Sequence, residues 1–357
     1  MKKVAKIITL LSLFTLSSCS ITDSPKNTTT PSNPINTSSP TTSTELTGPS
    51  TPPISSSATD SISKPSSPSS PDISTAPSSS SSTTPSKPST PPVQPGSDYV
   101  PIPNSNNRLV VHKSAVSYYS SVNFALPKKD LKTSLSKKIS SNFNSISYDG
   151  LWSAFKDTDF VNGKILDMYS DITCNSPQCG SYSSEGDCYN REHSVPKSWF
   201  GQAKPAYSDL FHLYPTDGKV NGMRSNYAFG EVVNATYTSH NGSKLGSADT
   251  SFGYSGKVFE PIDEYKGDFA RTYFYFVTRY EGLNTTSGDG RVHFESGNGY
   301  PGLTKYSLKL FAKWHKEDPV SEKEIARNEV IYTKYQHNRN PFIDIPDLPN
   351  YLWEGLM

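Results

Sequence analysis

The chain has 357 residues, and its 34 Lys and Arg balance 33 Asp and Glu to a formal net charge of +1. The length would accommodate about two domains. The near-neutral charge excludes a protein that attracts nucleic acid through a positive field over its whole surface, so any phosphate-binding face must be a local patch.

The first residues predict an export signal. A basic start precedes the apolar run 7–16, which is too short to span a bilayer and is followed by small residues. Residues 16–19 read LSSC and resemble the bacterial lipobox, which is cleaved before its cysteine. We therefore expect residues 1–18 to be a lipoprotein signal peptide and Cys19 to carry the lipid that anchors the protein at the cell surface. An ordinary signal peptide with an incidental cysteine is the alternative.

Residues 19–97 are dominated by Ser, Thr and Pro and contain no aromatic residue. Such a composition buries too little apolar surface to offset the entropy of ordering a chain. This segment is predicted to be a disordered linker, which either lifts a functional domain off the membrane or is a neutral spacer.

Aromatic residues return at Tyr99, and residues 98–357 are predicted to form one globular domain, expected to be a monomer. Helical periodicity recurs between segments typical of strands and loops, which indicates a mixed α+β fold. The segment 164–169 is a strand candidate. Helices are predicted over residues 130–141, 149–156, 263–280, 303–316 and 321–335.

Two details support these helices. Ser321 and Glu324 have the spacing of a capping box at the start of the last one. In the helix 263–280, an aromatic stripe at helical spacing predicts a side that faces the core rather than a ligand. The stripe consists of Phe269, Tyr273, Phe276 and Tyr280.

Three cysteines of the domain bear on its stability. The spacings of Cys174, Cys179 and Cys188 match no common zinc site, and disulfides are typical of exported proteins. We favour a disulfide between Cys179 and Cys188, which would brace the entry to the following strand and leave one thiol over.

The segment 189–230 concentrates residues with chemical function. Glu192 and His193 are adjacent, and Asn221 follows a turn signal at 215–218. A neutral His is a suitable base for activating water near neutral pH. A carboxylate and an amide oxygen suit a hard divalent cation, most simply Mg²⁺ with Ca²⁺ or Mn²⁺ as alternatives. The pattern predicts phosphodiester hydrolysis with one metal ion, held by Glu192 and Asn221.

The predicted site requires a particular backbone geometry. Adjacent residues on a regular strand point to opposite faces, so Glu192 and His193 can serve one site only where the chain bends. Pro196 favours a strand end nearby. The turn signal 215–218 then predicts the order strand, turn, strand and helix, with Asn221 on the helix.

The domain contains four distinctive segments, which read CYNREHSVPKSWFG, SDLFHLYPTDGKVNGMRSNYAFGEV, FARTYFYFVTRYEG and HNRNPFIDIP. In this order they resemble the bacterial endonuclease I family, whose members have a ββα-metal core, also called a His-Me finger. The resemblance covers the region from about Leu151 to Trp353. It implies a divalent metal and endonucleolytic cleavage of DNA or RNA with little sequence preference. It also implies action outside the cytoplasm and products with a 5′-phosphate and a free 3′-hydroxyl.

Carried over to this chain, the resemblance makes His193 the general base and Glu192 and Asn221 the metal ligands. Some family members carry a phosphate-binding Arg after the Glu-His pair, whereas this chain has only Lys in that interval. Arg224 is therefore our candidate for the cation that stabilises the transition state, and Arg191 is the other.

Three further polar residues lie within the resembling segments. We expect Asp209 and His212 to hold the site residues in place or to be structural, and Asn226 either to steady the site or to cap the helix. Family members commonly have a His where this chain has Phe211, and we expect its loss to be tolerated because this part of the chain should be structural.

Two alternatives to an endonuclease stand beside this interpretation. One is a phosphodiesterase for small phosphate esters, and the other is a non-catalytic surface adhesin on a nuclease fold. A base together with metal ligands argues against the adhesin, which needs neither. No element for reading base edges is recognisable, so binding to DNA or RNA should run through phosphates and weaken as salt rises.

Overall fold

The computed structural model describes residues 98–177 and 180–357. The predicted signal peptide, the lipidation site Cys19 and the predicted linker lie outside these residues, as does Cys179. Helices and strands are interspersed along the described part, which confirms the mixed α+β class. None of the helices in this part is long and apolar enough to cross a bilayer.

The strands of the described residues are short. They are β1 (Tyr99–Pro101), β2 (Val110–His112), β3 (Phe160–Val161), β4 (Lys164–Ile165), β5 (Tyr189–His193), β6 (Leu213–Asp217), β7 (Ala228–Phe229), β8 (Val232–Thr238), β9 (Lys244–Ala248) and β10 (Lys257–Glu260). A four-stranded sheet has the order β7-β10-β9-β8, with β10 parallel to β7 and antiparallel to β9. β5 and β6 form a separate antiparallel pair, in which Glu192 lies opposite Tyr214.

The helices pack against one another and against the strands. They are α1 (Val116–Tyr119), α2 (Lys128–Ser140), α3 (Leu151–Thr158), α4 (Gly218–Arg224), α5 (Asp263–Arg279), α6 (Gly290–His293), α7 (Lys305–Glu317), α8 (Glu322–Val330), α9 (Pro341–Asp344) and α10 (Leu348–Leu352). A π-helical turn, Ile331–Gln336, continues α8. The five helices predicted from periodicity are therefore confirmed, with ends shifted by a few residues.

Helix α5 lies at the centre of the core and packs along α7. The predicted aromatic stripe is buried, since Phe269, Tyr273 and Phe276 are 0% exposed and Tyr280 is 6% exposed. The other faces of α5 are buried as well, because sheet, loops and helices cover it on every side. The stripe is core, as predicted.

The capping box of α8 is also confirmed. The Ser321 side chain accepts from the backbone N–H of Glu324, and the Glu324 side chain accepts from the backbone N–H of Ser321. These two bonds satisfy amide groups that would otherwise lack a partner at the start of the helix.

The strand predicted over 164–169 is largely wrong, because β4 ends at Ile165. Asp167 ends it: one carboxylate oxygen accepts from the backbone N–H of Tyr169 at 2.8 Å, which closes a local turn. The other oxygen accepts from the backbone N–H of Asp217 at 2.9 Å. The turn therefore ties this segment to the end of β6 and directs Tyr169 into the core.

The disulfide prediction is only partly addressed by the described residues. Cys174 and Cys188 are both disulfide-bonded. Cys174 is therefore not the unpaired thiol that a Cys179–Cys188 disulfide was expected to leave. Cys179 lies outside the described residues, so its pairing with Cys188 stays a prediction.

Candidate active site

The strands β5 and β6 and the helix α4 form a ββα unit in the order predicted from the sequence. Helix α4 begins where it does because Asp217 caps it. One oxygen of Asp217 accepts from the backbone N–H groups of Lys219 and Val220 at 2.8 and 3.0 Å. The cap fixes the first turn of the helix against β6, and Asn221 lies on that turn.

A polar cavity of about 270 Å³ opens at this unit. Six predicted site residues line it together, namely Arg191, Glu192, His193, Asn221, Arg224 and Asn226. Four further lining residues were not predicted from the sequence as contributors to the site: Tyr148, Asn190, Lys197 and Ser225. Asn190 and Ser225 are neighbours of predicted residues and Lys197 lies four residues after His193, so sequence proximity was an available signal, whereas Tyr148 gave none.

The geometric condition on the Glu-His pair is met at the end of a strand. β5 ends at His193, and a loop begins at the next residue, Ser194. The backbone N–H of Ser194 donates to the carbonyl of His212 at 3.0 Å. Glu192 and His193 therefore line one cavity although they are neighbours in the chain.

The imidazole of His193 is held in one orientation. Its Nε2 lies 3.0 Å from the carbonyl oxygen of Tyr207, and a carbonyl can only accept, so Nε2 carries the proton and Nδ1 has a lone pair. The ring stacks on Tyr148, with centroids 5.7 Å apart. Burial, then the neighbouring His212 and the basic side chains of Lys197 and Arg191, lower the pKa of His193 well below its usual value. The ring is neutral at neutral pH, as a general base must be.

Glu192 is a buried carboxylate, 3% exposed. Its Oε1 accepts from the hydroxyl of Tyr169 and from Nη1 of Arg224, each at 2.9 Å. Burial raises the pKa of Glu192, against the opposite effects of Arg224 and Tyr169. Among the described residues, Oε2 accepts no hydrogen bond, so it is the oxygen placed to bind a ligand.

Asn221 completes an oxygen donor set. Its Nδ2 faces the hydroxyl of Thr216 at 3.4 Å, which turns Oδ1 the other way. A carboxylate oxygen and an amide oxygen beside one polar cavity fit a hard divalent cation that keeps several waters. The described residues contain no group of three or more His, Cys, Asp or Glu arranged to hold a metal, so a cation here would depend on Glu192 and Asn221 as its protein ligands.

Arg224 borders the cavity but is only 1% exposed. Its Nη1 donates to Glu192 and to the carbonyl of His193 at 2.9 and 3.1 Å, and Nη2 donates to the carbonyl of Ser194 at 2.7 Å. The guanidinium therefore ties the end of β5 to α4. These contacts fit a residue that positions Glu192 better than one that binds phosphate.

Two other cations are more open to the cavity. Arg191 lines it and donates through Nη1 to the carbonyl of Tyr148 at 2.7 Å and to Asp149 at 3.1 Å. Its guanidinium lies 3.5 Å from the Tyr148 ring centroid, which fixes the charge at the rim. Lys197 also lines the cavity and is exposed.

Asp209 and His212 lie behind the site rather than in it. Asp209 accepts from the hydroxyls of Tyr275 and Tyr280 at 2.8 and 2.6 Å, and so anchors α5. His212 Nε2 donates to the carbonyl of Ala206 at 2.6 Å, and its ring centroid is 5.7 Å from that of His193. Phe211, at the position where a His is common in the resembling family, packs on Tyr275 in the core.

Comparison with known sequences agrees with this geometry. Residues 128–347 match the sequence model of the endonuclease I family. The chain is 41% identical over 234 residues to an extracellular ribonuclease of Bacillus amyloliquefaciens, which covers 62% of this chain and 73% of the relative. An extracellular ribonuclease of Bacillus subtilis is 38% identical over 62% of this chain and 74% of its own length. An extracellular deoxyribonuclease of Aeromonas hydrophila is 28% identical over 38% of this chain and 49% of its own length.

Proposed function

Since the chain belongs to the endonuclease I family and is an endonuclease, we propose that it is metal-dependent and hydrolyses phosphodiester bonds of nucleic acid with little sequence preference. The observation that carries this proposal is the convergence of His193, Glu192 and Asn221 on one polar cavity. A structural histidine would not need an unprotonated nitrogen beside two oxygen ligands.

The chain's own residues support a direct hydrolytic step. Glu192 and Asn221 would hold a divalent cation, which when bound would supply positive charge to the phosphate and to the departing oxygen. Nδ1 of His193 removes a proton from water as the water oxygen attacks phosphorus, and the bond from phosphorus to O3′ breaks. The 5′-phosphate stays on one product, and the 3′-oxygen takes a proton from solvent. The carbonyl of Tyr207 keeps His193 in the tautomer that this step requires.

The enzyme binds its substrate through contacts with the phosphate backbone. Arg191 and Lys197 lie at the rim of the cavity and can contact phosphate oxygens without reading bases. The relatives include proteins named as ribonucleases and one named as a deoxyribonuclease. Both RNA and DNA are therefore proposed as substrates.

The enzyme acts outside the cytoplasm, where its relatives named as extracellular nucleases also work. A lipid on Cys19 would hold it at the membrane, and the segment 19–97 would separate the nuclease domain from the lipid surface. Palmitate labelling tests the anchor: label should enter the wild-type protein and not Cys19→Ser.

The activity itself is tested with purified protein on plasmid DNA and on structured RNA, in Mg²⁺ and in EDTA. Cleavage should require the metal and fall by about 10²- to 10⁴-fold in His193→Ala, the range for loss of a general base. His112→Ala is the matched control, because His112 lies on β2 outside the catalytic cavity.

Two outcomes would contradict the proposal. Cleavage that persists in EDTA would contradict the dependence on a metal. Cleavage that persists in His193→Ala would contradict the role of His193 as the general base. Binding of nucleic acid without cleavage in any divalent metal would favour the adhesin, and hydrolysis of small diesters alone would favour the other phosphodiesterase.

A further inference from the structure

A second cavity of about 320 Å³ borders the catalytic one. The two share Ser225 and Asn226, which form a ridge between them. Trp199, Tyr227 and Asp289 contribute the larger side chains of the second cavity. A polymer that places one phosphate in the catalytic cavity must lay a neighbouring unit over or beside this ridge.

The two cavities differ in charge. The catalytic cavity has Arg191 and Lys197 at its rim, which suits a phosphate. None of the described residues that line the second cavity is Lys or Arg, and Asp289 adds a carboxylate. The lining residues thus offer a phosphate no cation, whereas the uncharged part of a nucleotide, its base and sugar, needs none.

The carboxylate of Asp289 is available as an acceptor. Asp289 occupies the N-cap position of α6, where an Asp side chain usually accepts from a helix N–H, but here it makes no such bond. Among the described residues the carboxylate accepts no hydrogen bond. Base amino groups and ribose hydroxyls are donors that such a group binds.

The indole N–H of Trp199 is a donor without an acceptor among the described residues, although the side chain is only 2% exposed. Gly288, which also lines the cavity, lies against this edge of the ring: a Cβ on Gly288 would be 3.9 Å from Nε1. The backbone N–H of Ser287 donates to the backbone carbonyl of Trp199 at 3.3 Å, which ties the loop to the backbone of Trp199. Nε1 itself has almost no exposed surface, so Trp199 lines the cavity with other atoms.

The ridge holds the second cavity at a fixed position relative to the catalytic residues. Ser225 ends α4 at φ 52 and ψ −128, a conformation that non-glycine residues rarely adopt. Its backbone N–H donates to the carbonyl of Asn221 at 2.9 Å. Because Asn221 is also the proposed metal ligand, a ligand on the far side of the ridge lies at a fixed distance from the metal site.

We propose that the second cavity is a nucleoside subsite, which binds the base and sugar of a nucleotide next to the scissile phosphate. The inference rests on the proposed nuclease function and adds to it a local preference that phosphate contacts alone would not give. Asp289 supplies an acceptor and Tyr227 an aromatic surface for the base.

The test is the sequence of the cut ends. Random-sequence DNA and RNA pools are digested to low conversion by the full protein in Mg²⁺, and base frequencies are counted at the first nucleotide on each side of the cut. Asp289→Asn replaces one carboxylate acceptor by a donor and keeps the shape, and Tyr227→Leu removes the aromatic surface. On one side of the cut, base frequencies or the ratio of RNA to DNA cleavage should change by about three- to tenfold, the range for one hydrogen bond.

Asp130→Asn is the matched control, because Asp130 is an exposed residue of α2 outside both cavities. Ser287→Ala serves as a further variant in case either substitution prevents folding. Unchanged base frequencies and an unchanged RNA to DNA ratio in the folded variants would overturn the subsite. If the wild-type protein shows no metal-dependent cleavage, the proposed function fails first, so the two failures are distinguishable.

Discussion

At the scale of single residues, the site depends on hydrogen-bond partners that fix the orientation of its side chains. Tyr207 sets the tautomer of His193 through its carbonyl, and Tyr169 and Arg224 hold one oxygen of Glu192 so that the other faces the cavity. Arg224 is thus part of the support for a buried carboxylate. In a site of low dielectric, removing one partner of such a pair leaves an uncompensated charge.

The role of Arg224 is tested against that of Arg191. Arg224→Met should lower the free energy of unfolding by about 3–5 kcal/mol, because Glu192 loses its buried partner. Arg191→Met should cost only about 1–2 kcal/mol, because its ion-pair partner Asp149 is exposed and the main loss is the contact of the guanidinium with Tyr148, and it should instead reduce cleavage. Urea unfolding and cleavage kinetics on both variants provide the measurements. A stable Arg224→Met that loses only kcat would restore Arg224 as the transition-state cation.

A second residue-scale prediction concerns acid sensitivity through His293. Its Nε2 accepts from the backbone N–H of Phe229 at 3.0 Å, and burial, then the charge of Arg224, lower its pKa to about 3. The unfolded state, with a His pKa near 6.5, therefore binds more protons below neutrality. Stability should fall as the pH falls, by about 2 kcal/mol between pH 7 and pH 5 from this group.

The measurement is the free energy of unfolding at pH 7 and pH 5 for the wild type and His293→Gln. The variant should lack the contribution of His293, so its pH dependence should differ by about 2 kcal/mol. Asp167, whose pKa burial raises to about 7, acts in the opposite direction in both proteins. Parallel pH dependences would show that His293 titrates normally in the folded state.

At the scale of elements, α5 organises the domain because the chain approaches it closely on all sides. Its Gly267 is the point of closest approach to the end of α7. The backbone N–H of Gly267 donates to the Asp318 carboxylate at 2.8 Å, and a Cβ on Gly267 would lie 1.9 Å from the Asp318 carbonyl oxygen. A glycine inside a helix normally costs stability relative to alanine, so packing explains its presence here.

Gly267→Ala should therefore destabilise the protein, although helix propensity alone predicts a gain of about 1 kcal/mol. The contact is with backbone, which cannot swing away, and overpacking of this kind costs about 1–3 kcal/mol. Gly299→Ala is the matched control, because nothing lies within 4 Å of a Cβ there. Thermal unfolding of both variants decides the matter: equal or higher stability of Gly267→Ala would contradict the close approach.

At the scale of the whole molecule, charge is balanced and any affinity for nucleic acid must be local. The formal net charge is +1 over 357 residues, and Arg191 and Lys197 are the rim cations of the catalytic cavity. Few phosphates are then neutralised at once, which suits an enzyme that must release many different sequences.

The salt dependence of binding should accordingly be shallow. With about two phosphate contacts, the logarithm of the binding constant for duplex DNA should fall with the logarithm of salt concentration at a slope of about −2. Lys197→Ala in a His193→Ala background should reduce that slope by about 1. Lys113→Ala, an exposed lysine outside both cavities, should leave it unchanged. A steep slope that Lys197→Ala leaves unchanged would show that nucleic acid binds to another face of the protein.

The sequence by itself was enough to predict the longer helices and the residues expected to carry the chemistry of this protein. Helices α2, α5 and α8 follow from periodicity and caps, which are local properties of the chain. Glu192, His193 and Asn221 were recognisable because they lie on consecutive elements of one ββα unit, so their spacing along the chain carries the pattern.

Only the tertiary structure decided how these residues are oriented and what surrounds them. The hydroxyl of Tyr169, the carbonyl of Tyr207 and the buried guanidinium of Arg224 act across distances in sequence that no local pattern encodes. The turn at Asp167 that ends the predicted strand 164–169 is held in place by Asp217, fifty residues away. The second cavity joins residues from three separate segments, 198–199, 225–227 and 287–289. Such sites form when packing brings distant segments together, and burial then sets the charge and hydrogen bonding of the groups enclosed.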